Sequence, residues 1–312
     1  MSTRARIRTR VVHAGDGRMV ALSRLRADRP GSPAVLLVPG AFCGEWIWRD
    51  NFMRAMHARG FDVTAMSYSG HGMRGWPLHR RGLADLIDDL KTAIAWSPAP
   101  PSIVAHSLGG RVALELAQQR PLPPIALLAP LPLDGGWRCV SSLAQRSWAS
   151  VAKLLGVAVE PRLARLASPP LGMFGPGVDP RRQRAVARRL QAESLRCLLE
   201  AMLPSSSQVP PRAPLHFFAG GEDGIVPADV VVRAAAAHGA PVTVYPTMGH
   251  NFQAEAQHDQ VCDDIVAWFA ELSADPHKTR HGPPDSEVST PTVSARRPRD
   301  RRCRVKGSLA GR

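Results

Sequence analysis

Three residues far apart in the chain have the types that acyl transfer through a serine requires: Ser107, Asp223 and His250. Ser107 lies in Ala105-His106-Ser107-Leu108-Gly109, close to the G-x-S-x-G elbow, where a sharp strand-to-helix turn lifts the hydroxyl above a sheet. Chance alone supplies such a pattern about once every few chains of this length, so the other two residues carry the weight. A serine hydroxyl is a poor nucleophile until a base takes its proton, and neutral imidazole suits that task near pH 7. His250, in "TMGHNF", would take the proton and return it to a leaving alcohol. Asp223, in "AGGEDGIVP", would orient the imidazole and stabilise its protonated form. Glu222 is the alternative acid, but the four-residue spacing to Pro227 favours Asp223. The bland alternatives are a helix-starting serine and a turn histidine.

The elements around these residues must place them together. Residues 102–105 form a short apolar strand, and 108–119 a helix. A continuous apolar run at 34–40 reads as a strand covered on both faces, and 61–68, 124–130, 214–220 and 241–247 read as further strands. Residues 9–25 read as two strands joined at Gly15-Asp16-Gly17, since Asp-Gly tolerates the positive φ of tight turns. Helical patterns fall at 51–60, capped by Gly60, at 83–96 and at 259–272. Strands alternating with helices predict a mostly parallel α/β sheet. The rhythm breaks over 134–213, which has helical candidates at 140–155 and 180–203 and an irregular "SPPLGMFGPGVDP" between them. This reads as a helical cap inserted into a domain of residues 1–273. Ser107, Asp223, His250 and the turn "VPGAFCGEW" each follow a strand, where open parallel sheets place ligand sites. The order Ser, Asp, His is the order expected on this architecture.

On "AHSLGG", "GGEDGIVP", "GHNF" and the turn "SGHG", the chain resembles the α/β-hydrolase superfamily over residues 9–273. The cap and "LQAESLRCLLEAML" are most similar to its lysophospholipase or monoglyceride-lipase branch. The resemblance implies the α/β-hydrolase fold, a serine hydrolase acting on a carboxylic ester, and an oxyanion hole made by the N–H groups of Ala41 and Leu108. It implies no cofactor and no metal. The chain departs at Pro39, where the family has His before Gly40, and at Ala105, where it has Gly. Oxyanion stabilisation uses backbone donors, so Pro39 need not abolish function. Ser in place of Asp as nucleophile disfavours dehalogenase and epoxide-hydrolase chemistry. Lactone, thioester and carbon–carbon chemistry stay open, as does a non-catalytic binding protein. Phe42 and His106 are pocket candidates, and Trp46 and Trp48 are pocket wall or core. His71 in "SGHG" reads as a turn residue, and Cys43 as a buried, inert thiol.

Composition sets the remaining bounds. The formal charge of +14 over 312 residues suggests an acidic partner until it is mapped. Residues 1–10 hold four arginines and no acid, and 274–312 hold ten basic residues against four acidic ones. The body is therefore only mildly basic. The tail reads as a polar, disordered segment with at most weak contact to an anionic surface; without stacking aromatics, nucleic-acid binding is not expected. Five scattered cysteines, with no C-x-x-C pair, fit a reducing compartment. No apolar stretch reaches the roughly 18 residues of a membrane span, and the arginine-rich start lacks a signal's apolar region. A cytoplasmic enzyme with a small-molecule or lipid ester as its substrate is the resulting expectation.

Overall fold

Apolar runs without alternation form the middle of the sheet. β3 (Ala34–Val38), β5 (Ser102–His106) and β6 (Ile125–Leu128) are buried along nearly their whole length, and burying each such Val, Leu or Ile is worth roughly 1.5–3 kcal/mol. β1 (Arg8–His13), β2 (Met19–Leu25), β4 (Asp62–Ser67), β7 (Leu215–Gly220), β8 (Val242–Tyr245) and β9 (Val293–Ala295) complete the order β1-β2-β4-β3-β5-β6-β7-β8-β9. The computed structural model describes residues 6–14, 17–71, 78–165, 168–274 and 293–295. β1 pairs antiparallel with β2, and β2 with β4; every later pair is parallel. Gly17 takes φ +81 in the β1–β2 turn, while Gly15 and Asp16 lie outside the described residues. Arg24 of β2 reaches across to Asp62 of β4 through two 2.7 Å hydrogen bonds.

The helices follow from apolar spacing. α2 (Leu83–Trp96) buries Leu83, Leu86, Ile87, Leu90 and Ala93 along one face. α3 (Leu108–Gln119) packs against α2, and α1 (Phe52–Ala58) against α9 (His258–Ala274). Gly60 takes φ +91 just past α1, as its position suggested. One helix was not expected: α8 (Ala228–Ala237), which buries Val230, Val231, Ala234 and Ala235.

Between β6 and β7 the chain forms helices and irregular segments. The candidate at 140–155 is two helices, α4 (Trp137–Arg146) and α5 (Trp148–Val159), because Ser147 leaves helical geometry and caps α5 through Ser150 N–H. The candidate at 180–203 is likewise two, α6 (Pro180–Ala187) and α7 (Leu195–Met202), the second capped by Ser194. Residues 168–179 of the "SPPLGMFGPGVDP" stretch lack regular structure, as its Pro and Gly content predicted, and its last residue, Pro180, opens α6. Of the basic tail, Val293–Ala295 add a parallel strand beside β8; its remainder lies outside the described residues. No helix among the described residues is long and apolar enough to cross a membrane.

Candidate active site

Ser107 occupies the turn between β5 and α3 with φ +53 and ψ −118, a conformation that typically costs a non-glycine residue about 1–3 kcal/mol. Its surroundings enforce it. Ser107 N–H donates to Leu128 O at 3.0 Å, and Ser107 O accepts from Gly110 N–H at 2.9 Å and Leu131 N–H at 3.1 Å. Close packing permits the turn: a Cβ on Gly109 would stand 2.4 Å from Pro39 O, and one on Gly110 would stand 2.5 Å from Pro130 Cβ. Ala105 is fully buried in β5, so the extra methyl is accommodated.

His250 and Asp223 come from the ends of β8 and β7. His250 Nδ1 donates to Asp223 Oδ2 at 2.8 Å, and Ser107 Oγ donates to His250 Nε2 at 3.0 Å. Asp223 Oδ1 accepts from Ile225 N–H at 2.7 Å and Val226 N–H at 2.8 Å, so both oxygens of the carboxylate are held in place. Glu222 is exposed and its side chain takes no part. The irregular segment after α5 covers both loops: His250 N–H donates to Gly172 O at 2.9 Å and Asn251 N–H to Met173 O at 2.9 Å. Glu255, for which the sequence offered no signal, ties them together by accepting from Gly249 N–H at 3.1 Å and Gly175 N–H at 2.7 Å.

The turn after β3 lies directly against the nucleophile. A Cβ on Gly40 would sit 3.0 Å from Ser107 Cβ and 2.9 Å from His106 Nδ1, so any side chain here would push against the nucleophile and His106. Among the described residues neither Ala41 N–H nor Leu108 N–H, at the start of α3, donates to a protein acceptor. Both remain available to an anion, and the α3 N-terminus favours one. Phe42 is half-buried with φ +65, and its N–H donates to Glu193 Oε2 at 3.1 Å. Glu193 is in turn 3.1 Å from His71 Nε2. His106, by contrast, is buried and donates through Nε2 to His250 O at 2.9 Å; burial, then the neighbouring His250, lowers its pKa to about 3. It stays neutral and braces the His250 backbone. Trp48 is fully buried beside it, in core packing. A cavity of about 460 Å³, lined by Trp46, His71, Arg189 and Gln191 among others, includes none of Ser107, Asp223 and His250 in its wall. No group of three His, Cys, Asp or Glu among the described residues is placed to hold a metal ion.

Cys43, Cys139, Cys197 and Cys262 are all buried free thiols. Burial, then Glu193, pushes Cys43 up to about 12, so the thiol stays protonated and weakly nucleophilic at pH 8. In a Cys303→Ser background, native protein is expected to react with a small aromatic disulfide only slowly, and fully once unfolded in guanidinium. Rapid native titration of one thiol per chain would contradict this.

A family model described as the alpha/beta hydrolase family matches residues 35–264. The chain belongs to the alpha/beta hydrolase family. This hydrolase is similar to a monoacylglycerol lipase of Mycolicibacterium smegmatis, 26% identical over 227 residues that make up 68% of this chain and 79% of that one. An uncharacterized protein of Mycobacterium tuberculosis is 28% identical over 231 residues, 71% of this chain. The match spans only 64% of that relative's length. Among solved structures, an esterase from Exiguobacterium antarcticum shares the fold, with TM-score 0.65, 12% identity, and coverage of 83% of this chain and 98% of that one. Ester hydrolysis in general is the activity that this family membership and the similarity to a monoacylglycerol lipase support.

Proposed function

We propose that the hydrolase cleaves long-chain carboxylic esters of the monoacylglycerol or lysophospholipid kind through an acyl-enzyme on Ser107. The observation that carries this is the unbroken hydrogen-bonded line from Ser107 Oγ through His250 to Asp223, at 3.0 and 2.8 Å. Because Nδ1 of His250 donates to Asp223, its Nε2 is the free acceptor. Ser107 Oγ attacks the ester carbon as Nε2 takes its proton, and the carbonyl oxygen becomes an oxyanion held by the N–H groups of Ala41 and Leu108. Collapse expels the alcohol, protonated by His250. Water, deprotonated by the same imidazole, then releases the acid. Phe42, beside the oxyanion turn, meets the acyl or alcohol group.

The apolar substrate is supported by exposed apolar side chains in the segment between β6 and β7. Trp148 is 73% exposed and Val159 68% exposed on α5, with Leu155, Leu163 and Leu171 also uncovered, an apolar surface of the kind that meets acyl chains. The similarity to a monoacylglycerol lipase points the same way. The test is hydrolysis of monoacylglycerols of graded chain length, lysophosphatidylcholine and triacylglycerol by the purified full chain, with intact-mass analysis of acid-quenched turnover. Activity rising with chain length and one acyl group added to the protein is the expected result. Turnover of acetyl and butyryl esters alone would sink the lipid assignment, and turnover without an acyl adduct would sink the covalent one.

A further inference from the structure

The oxyanion turn is held from outside by the segment between α6 and α7. Phe42 is one of three non-glycine described residues with positive φ, at +65, and a backbone in that region persists only when its neighbours impose it. Both polar backbone atoms of Phe42 are taken by this segment: its N–H donates to Glu193 Oε2 at 3.1 Å, and its carbonyl accepts from Gln191 N–H at 2.9 Å. Glu193 is itself fixed. Its Oε1 accepts from Ser194 N–H at 3.0 Å, and His71 Nε2 donates to its Oε2 at 3.1 Å. The side chains of both members of the pair are 1% exposed. His71 is presented by a turn that is also anchored, since Ser69 N–H and Oγ donate to the buried Asp89 at 2.8 and 2.7 Å.

We infer that Glu193, paired with His71, is a positioning residue that sets the oxyanion turn, so that the inserted segment must be in place for Ala41 N–H to meet the developing charge. This rests on the hydrolase reading above. Each group favours the charged form of the other. Burial opposes the Glu193 carboxylate, but the His71 charge and hydrogen bond and the Ser194 and Phe42 N–H groups outweigh it, lowering its pKa. Burial likewise opposes the His71 imidazolium, and Glu193 outweighs it, raising its pKa. A carboxylate is required chemically: its two oxygens face three donors, and a carboxamide would turn one oxygen into a fourth donor.

The experiment compares wild type, Glu193→Gln and His71→Gln on a soluble ester. It also measures binding of two inhibitors with the same acyl chain. A trifluoromethyl ketone adds the serine and develops an oxyanion; the corresponding alkyl amide does not. Loss of one oxyanion donor costs about 100- to 1,000-fold, so a displaced donor in Glu193→Gln should weaken the ketone by about 10- to 100-fold. The rate constant kcat should fall in step, with KM and amide binding changed less than about threefold. If Glu193→Gln does not fold, His71→Gln should give the same split with a smaller amplitude. Wild-type ketone affinity and kcat in a folded variant would overturn the inference, as would equal losses for ketone and amide. A wild-type protein inert toward both ester and ketone would instead overturn the hydrolase reading, and this inference with it.

Discussion

Ser107→Ala is expected to abolish covalent capture by a small fluorophosphonate and to lower ester turnover by roughly 10⁴- to 10⁶-fold, since nucleophile loss in comparable serine hydrolases falls near the top of that span. The substitution leaves untouched Leu108 N–H and Ala41 N–H, the oxyanion donors proposed above, so slow, water-driven hydrolysis should remain above the uncatalysed rate. Folding should be little affected. The alanine keeps the Cβ that Gly40 packs against and loses one hydroxyl whose hydrogen bond to His250 is worth about 1 kcal/mol. A change of that size moves Tm by about 2–4 °C in a chain of this class. Intact-mass analysis of both proteins after inhibitor treatment reads the first outcome, and a continuous ester assay the second. A variant within tenfold of wild type, or one still labelled at unit stoichiometry, would remove Ser107 from the chemistry.

The parts legible from sequence are those whose signal is local. Ile103–Ala105 and Ile125–Leu128 are apolar without interruption because both faces are buried, and such runs announce a parallel sheet. Ser107, Asp223 and His250 follow strands, and the structure brings their side chains into one line. What was not legible depends on distant partners or conflicting propensities. α8 begins Ala-Asp-Val-Val-Val, and a β-branched run weakens the helical pattern until tertiary burial of Val230 and Val231 overrides it. The breaks at Ser147 and at 188–194 replace two long helical patterns by four helices, because serine caps and the demands of Glu193 win over propensity. Glu193 and Glu255 have ordinary neighbours in sequence. Their roles exist only because Phe42 is 151 residues away from the first, and Gly175 80 residues away from the second. His71 lies in the expected turn, but its buried contact with Glu193 had no sequence signature.

Asp223→Asn is expected to lower turnover by about 10⁴-fold with the fold intact, the magnitude seen when a serine hydrolase loses the correct histidine tautomer. The geometry fixes why the amide cannot adapt. Oδ1 of Asp223 accepts two backbone N–H groups, from Ile225 and Val226, at 2.7 and 2.8 Å. An amide nitrogen cannot accept them, so the asparagine carbonyl must take that side and its NH₂ must face His250 Nδ1. A donor facing Nδ1 requires that nitrogen to be the acceptor, which moves the ring proton to Nε2. Nε2 then points a hydrogen at Ser107 Oγ, and the base is gone while every heavy atom stays in place. Both the ester rate and the rate of fluorophosphonate labelling should therefore fall together, with little change in Tm. Glu222→Gln is the internal control: that side chain is exposed and takes no part in the line, so its rate should stay within about twofold of wild type, as for surface substitutions generally. An Asp223→Asn rate within tenfold of wild type would show that the imidazole takes the serine proton without the orientation this carboxylate imposes.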